Sequence, residues 1–171
     1  MGLHLVCYEP EIPQNTGNMM RTCVATNTTL HLIEPLGFKL DDKYLKRSSM
    51  DYIQNLKWTV YANWEDFVTR NPGTYYFLTR YGSKAHSAFD YSNIAEEIYF
   101  VVGKESTGID KHILKGHLER CMRLPMVEDA RSLNVSNCAA IILYEALRQQ
   151  SYPGLSCKEV LKGDHVLEDL K

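Results

Sequence analysis

No stretch of this chain approaches the roughly 20 consecutive apolar residues that carry a helix across a bilayer. The opening residues, Met1-Gly2-Leu3-His4-Leu5-Val6-Cys7, lack the basic start and small-residue cleavage site of a secretory signal. Residues 2 to 6 also lack the Ser or Thr of a myristoylation site. Five cysteines, at 7, 23, 121, 138 and 157, form no CxxC pair, so the expectation is reduced thiols in a cytoplasm rather than a disulfide framework. His117 and Cys121 have a workable metal spacing, but no second pair lies nearby, and no metal site is expected. Excess basic charge is missing too: 19 Lys and Arg against 21 Asp and Glu give a formal charge of −2. A polyanion would therefore need local patches rather than a global field. No repeat, low-complexity tract or Pro/Gly-rich linker divides the 171 residues, which argues for one domain.

What is present is alternation. Apolar runs Leu3–Tyr8, Leu30–Ile33, Trp58–Tyr61, Tyr75–Leu78, Ile98–Val102 and Met122–Leu124 are mostly continuous, as in strands buried on both faces. Helical patterns fall between or after them, near residues 17–26, 42–49, 64–70, 110–118 and 135–150. This order predicts an α/β fold with a parallel sheet. Asn15-Thr16-Gly17-Asn18 offers capping side chains before the stripe Met20, Cys23, Val24, and Ser132-Leu133-Asn134 does so before Val135, Ala139, Ile142, Leu143 and Ala146. Ala139 and Ala140 permit close approach of another helix, in the core or at a dimer seam.

Three stretches carry candidate chemistry. In "YFVVGKESTGI" a strand stops at Gly103, and Gly108 follows five residues later, the outline of a phosphate loop. A P-loop needs Lys and Ser/Thr after its second glycine, yet Ile109 and Asp110 stand there and Glu105 would repel a triphosphate. The nucleotide-hydrolase reading fails, leaving a strand-end loop that lets backbone approach a ligand, or a plain tight turn. In "EPEIPQNTGNMMR" Pro10 and Pro13 fix a loop, and Asn15, Asn18 and Arg21 at three-residue steps are expected near one helix face, fit to hold a phosphate or hydroxyl or simply to cap. In "RLPMVEDARSLNVSNCAA" Ser132, Asn134 and Ser136 crowd a helix entrance, as caps or as ligand contacts. Lys43, Lys46 and Arg47 gather on one side of a short predicted helix, either a solvated face or a phosphate patch.

Together and in this order, "NTGNMMR", "VVGKESTGI" and "LPMVEDARSLNVSNCAAIILYEALRQ" resemble the three motifs of the SpoU branch of the SPOUT RNA methyltransferases, and the resemblance runs from the first strand to about residue 154. With "IEPLGFKLDDKYLKR", they are similar to the small stand-alone members that 2′-O-methylate the wobble nucleotide of tRNA. The resemblance implies a Rossmann-like domain, residues 1–154, whose C-terminal part forms a deep trefoil knot, followed by a tail, 155–171. It implies a homodimer, S-adenosylmethionine as methyl donor, and the tRNA anticodon stem-loop as substrate. Matching the motifs by position assigns Leu78, Gly103, Leu124 and Ser132 to the cofactor, with Met126 and Leu133 as neighbours. Arg21 falls near the ribose hydroxyl with Asn15, Glu105, Ser132 and Asn134 around it, Tyr144 falls on tRNA, and Lys43, Lys46 and Arg47 gain weight as phosphate contacts. A guanidinium with pKa above about 12 is a poor general base, so Arg21 is expected to orient the ribose or stabilise charge while Glu105 or water takes the proton. The competing expectations are a catalytically silent RNA-binding protein of the same fold and an enzyme acting on ribosomal RNA. Relatives of the second kind often carry an extra RNA-binding domain, for which nothing precedes the first strand here.

Overall fold

The computed structural model describes residues 2–40 and 53–163. The helix expected at 42–49, with Lys43, Lys46 and Arg47, lies outside the described residues. Every expected strand forms: β1 (Gly2–Tyr8), β2 (Thr29–Ile33), β3 (Trp58–Tyr61), β4 (Thr74–Leu78), β6 (Glu97–Gly103) and β7 (Cys121–Arg123). A further strand, β5 (Lys84–Ala85), spans two residues and carries no apolar run by which it could have been recognised. The sheet is parallel throughout, in the order β3-β2-β1-β6-β4-β7-β5.

The helices are α1 (Pro13–Ala25), α2 (Trp64–Arg70), α3 (Lys111–Lys115) and α4 (Val135–Gln149). Side chains along a strand alternate between faces, and the core divides accordingly. Leu3, Leu5 and Cys7 of β1 join Met19, Met20 and Cys23 of α1 and Ala139, Ile142 and Leu143 of α4 on one face. Val6 and Tyr8 turn to the other face, where Phe67 of α2 and Leu114 of α3 cover them. Each fully buried Val, Leu, Ile, Phe or Met side chain among these contributes about 1.5–3 kcal/mol. Ala139 is fully buried in the first cluster, so its small size serves the core.

Two helix limits depart from expectation. The first helix begins at Pro13, not residue 17, with Ile12 as its cap and no capping side chain of its own. Proline is well placed there because its fixed φ suits the first turn and its missing N–H costs nothing. Asn15 is thus inside α1, and its side chain bonds elsewhere. The helix expected over 110–118 stops at Lys115, Gly116 being a poor helix former, and a 3₁₀ turn, Leu118–Arg120, follows.

On the α2 side a polar chain crosses the sheet. Glu97 Oε2 is 2.7 Å from His4 Nε2, His4 Nδ1 is 2.9 Å from His31 Nε2, and His31 Nδ1 is 2.9 Å from the Tyr61 hydroxyl. Burial lowers the pKa of both imidazoles, that of His31 to about 3.

Candidate active site

The site forms where loops leave the C-terminal ends of β1, β6, β4 and β7, the edge at which parallel α/β sheets bind ligands. β1 hands the chain to α1 on one face and β6 hands it to α3 on the other, so a crevice opens between them. The register of that strand pair ends at Tyr8↔Gly103. Gly103 has φ +100°, and a Cβ there would stand 2.6 Å from the Tyr8 carbonyl oxygen, so only glycine fits.

Beyond this pair the loops stay joined. Lys104 Nζ reaches Glu9 Oε2 at 2.6 Å, and the Glu11 carboxylate accepts both the backbone N–H and the hydroxyl of Ser106, each at 2.8 Å. These Ser106 bonds hold the Glu11 carboxyl below its ordinary pKa, and the Glu9 bond raises that of Lys104. In return Glu105 accepts from Glu11 N at 2.9 Å, Ile12 N at 3.3 Å and Asn15 Nδ2 at 3.2 Å. A carboxylate from the β6 loop therefore caps α1, meeting donors that the helix leaves unpaired and opposing its dipole.

The third motif enters through Asn15. Its Oδ1 accepts from Asn134 Nδ2 at 2.9 Å, and Asn134 Oδ1 accepts from the Ser136 N–H at 2.9 Å and hydroxyl at 2.5 Å as the N-cap of α4. Donor and acceptor order agree along the whole relay: a cap must accept, so Asn134 must donate to Asn15, which must donate to the carboxylate. Asn15, Glu105 and Asn134, chosen from three distant stretches, are one hydrogen-bonded unit. Asn15 is buried to 6% exposure, whereas Asn18 and Arg21 are exposed. The expected single polar face is therefore divided, because each three-residue step turns the helix back by about 60° and two steps separate the environments.

Leu78, Gly103 and Leu124 come to adjacent strand ends. β4 and β6 are paired only as far as Phe77↔Val101, while β6 continues beside β1 to Gly103 and Leu78 pairs with Met122 of β7. The β4–β6 ladder thus stops short of Leu78 and Gly103, leaving a gap in the pairing with apolar Leu78 and Leu124 at the neighbouring strand ends. Apolar walls and a few backbone bonds are what an adenine ring needs. Met126, Ser132 and Leu133 lie in the segment from Leu124 to Asn134, with Ser132 and Leu133 exposed. A cavity of about 420 Å³ sits instead on the α3 side of the β6 loop, lined by Tyr8, Glu9, Lys104, Lys111 and His112 among others. Tyr144 is 48% exposed on α4, which excludes a core role for it.

Sequence reasoning missed the Glu9–Lys104 and Glu11–Ser106 pairs. Both keep the offset of 95 residues set by Tyr8↔Gly103, so the strand pairing, once known, would have disclosed them.

The family model of the SpoU rRNA Methylase family matches residues 2–144. A Bacillus subtilis (strain 168) protein provisionally named tRNA (cytidine(34)-2′-O)-methyltransferase is 50% identical over 156 residues, covering 91% of this chain and 98% of that one. A solved structure described as giving insight into the 2-OH methylation of C/U34 on tRNA is 34% identical with TM-score 0.81, covering 87% of this chain and 96% of that one. A SpoU methyltransferase from Streptomyces viridochromogenes in complex with the cofactor AdoMet shares the fold at TM-score 0.77 and 22% identity, covering 88% of this chain and 58% of that one. By these matches the chain belongs to the SpoU rRNA methylase family.

Proposed function

We propose that this chain transfers a methyl group from S-adenosylmethionine to the ribose 2′-hydroxyl of the wobble nucleotide, position 34, of tRNA, where that nucleotide is cytidine or a modified uridine. The observation that carries the reading is the relay Ser136–Asn134–Asn15–Glu105, which closes three motif segments into one polar edge beside the Leu78–Gly103 gap. The names of the relatives supply the substrate class.

When bound, the cofactor supplies a methyl group on a positively charged sulfur. Leu78, Gly103 and Leu124 would hold it at the strand ends, with Met126, Ser132 and Leu133 from the segment that follows β7. Arg21 orients the ribose or its phosphate with a planar fork of donors and stabilises negative charge on the attacking oxygen. Glu105 already accepts three N–H groups, so it serves as a positioning residue and the hydroxyl proton leaves to water. Asn15 and Asn134 fix Glu105 and the entrance of α4.

Arg21 and Tyr144 lie on the outward sides of α1 and α4, two helices that share one face of the sheet, which supports both as tRNA contacts. Lys43, Lys46 and Arg47 would add phosphate contacts. The outward side of α4 also carries Ile141, 41% exposed, and we assign these helices to a homodimer interface. The late strands β6 and β7 insert between earlier ones, β1 and β4 for one and β4 and β5 for the other. That weaving supports a trefoil knot, a rare exception to ordinary chain threading. Residues 1–154 would form the methyltransferase domain, followed by a tail whose first residue, Leu155, still packs on the core while residues 156–163 are exposed. Five free cysteines suit a reducing cytoplasm.

The test is nucleoside mass spectrometry of tRNA incubated with the purified chain and cofactor, and of tRNA from cells with and without the gene. A 2′-O-methyl mark at position 34 that depends on the protein is expected, and its absence in both overturns the reading. Arg21→Lys should lower kcat at least about tenfold with both substrates saturating, since an ammonium cannot reproduce the fork.

A further inference from the structure

Cations to which no role has yet been given cluster on the sheet edge next to the gap. Residues 74–89 include Arg80 and Lys84 and no carboxylate, and residues 111–126 include Lys111, Lys115, Arg120 and Arg123 against Glu119 alone. In a chain of net charge −2 this is a local excess. The fold brings the two segments together. Lys84 pairs with Met122 and Ala85 with Arg123 across β5 and β7. Arg123 Nη1 donates to the Arg80 carbonyl at 3.4 Å, and Lys111 Nζ stands 5.7 Å from the centre of the Tyr81 ring. The acids beside these segments have other tasks: Glu119 is 3.9 Å from Arg120, Asp110 caps α3, and Glu9 pairs with Lys104. Among the described residues no carboxylate lies within ion-pair distance of Arg80, Lys84, Lys111 or Arg123.

At the tip of the turn over residues 79–82, Tyr81 is 64% exposed. The turn beneath it is held firmly. Thr79 N–H donates to Met122 O at 3.0 Å, Gly82 N–H to Thr79 O at 3.2 Å, and Tyr81 N–H to Thr79 Oγ1 at 3.2 Å. Gly82 is pressed so closely on β7 that a Cβ would meet the Met122 carbonyl carbon at 2.4 Å. An aromatic ring offered to solvent on a braced turn, with Lys111 beside it, Arg80 next in the chain, and Lys84 (over the Phe89 ring) and Arg123 on the adjoining strands, suits unstacked nucleic acid: bases stack on the ring and phosphates meet the cations.

We propose that Tyr81, with Arg80, Lys84, Lys111 and Arg123, is a docking surface for the RNA substrate, taking an unstacked base on the ring and neighbouring phosphates on the cations. Its position supports this. Arg80 follows Leu78 by two residues and Arg123 precedes Leu124, so the surface borders the edge where methyl transfer is proposed. The inference rests on that proposed function.

Steady-state methylation of whole tRNA by the full chain tests it, with S-adenosylmethionine affinity measured in parallel by calorimetry. Tyr81→Ala should raise KM for tRNA about tenfold, and Tyr81→Phe, which keeps the stacking face, should stay within about twofold of the parent. R80Q together with R123Q should flatten the log–log salt dependence of tRNA binding by about 1.4 to 1.8, the release expected for two phosphates. Cofactor affinity should not change in Tyr81→Ala. Methylation at the parental KM and salt slope in all variants overturns the surface and leaves the function standing. Equal losses in Tyr81→Ala and Tyr81→Phe, or charge dependence without ring dependence, also overturn it, the latter indicating phosphate contacts without base stacking. A parent chain that binds cofactor but methylates no RNA overturns the function and this surface together.

Discussion

Replacing Glu105 by glutamine changes one atom and should weaken the hold on α1 and the relay. Oε2 accepts from Glu11 N, and Oε1 accepts from both Ile12 N and Asn15 Nδ2. Whichever way a glutamine amide turns, its NH2 faces a donor. In the better orientation Glu11 N–H loses its partner, and in the worse one two donors do. A lost bond to a charged acceptor costs about 1.5–3 kcal/mol, and losing the negative charge at the α1 terminus costs about 0.3–1 kcal/mol more. Glu105 is only half-buried, so water recovers part of this and about 2 kcal/mol is expected. For a chain of this size that lowers Tm by about 4–8 °C, readable by calorimetry with urea titration alongside. Turnover should fall as well, because Asn15 is left bonded to a neutral amide oxygen in place of the carboxylate. A Glu105→Gln variant that melts within about 1 °C of the parent would refute the claim that this carboxylate locks α1 to the β6 loop.

Two further outcomes follow from burial. His4, His31 and His86 have pKa values lowered by burial, that of His31 to about 3 from 6.5, so the unfolded chain binds more protons than the folded one between those values. Stability should therefore be flat above pH 7 and fall by up to about 1.4 kcal/mol per unit and per histidine as pH drops below 6.5. The lowered carboxyls Glu11, Glu97 and Glu145 act in the same direction only below their ordinary 4.5, so urea midpoints between pH 4.5 and 6.5 isolate the histidines. His31→Gln should remove one histidine's share of that slope, and an unchanged slope refutes the assignment. Gly103→Ala meets both φ +100° and the Tyr8 carbonyl at 2.6 Å. Strain of about 1–3 kcal/mol for the dihedral alone predicts a sharp loss of soluble yield and of Tm. An alanine variant that melts like the parent would show that β1 and β6 have slack.

The strands were legible because burial on both faces writes itself into the sequence as unbroken apolar runs, Ile98–Val102 being the plainest. β5 was not, since Lys84 and Ala85 are held by the backbone of β7 rather than by their own side chains. The start of α1 was misplaced for an instructive reason. Asn15 and Thr16 have the composition of caps, but the capping oxygen comes from Glu105, ninety residues away, and local propensity is blind to it. Nor could spacing alone show that Arg21 and Asn15 part company, one exposed and the other buried, although the arithmetic of helix rotation contains that result.

The candidate site differs from the core in how its residues are specified. Leu5 or Ile142 needs only to be apolar and of suitable size, and many sequences satisfy that. Glu11 and Ser106 must meet at one offset, the 95 residues by which β1 and β6 are paired, and Glu9 and Lys104 meet at the same offset. The strand register thus continues past the end of the sheet as a ladder of side chains, and Glu105, set between those pairs, inherits its aim at α1 from it. A slip of one residue between β1 and β6 would turn the apolar faces over and unmake these pairs together. The core therefore enforces the geometry of the site: the same register that buries Leu5 and Phe100 sets the carboxylate that holds Asn15 and, through it, Asn134.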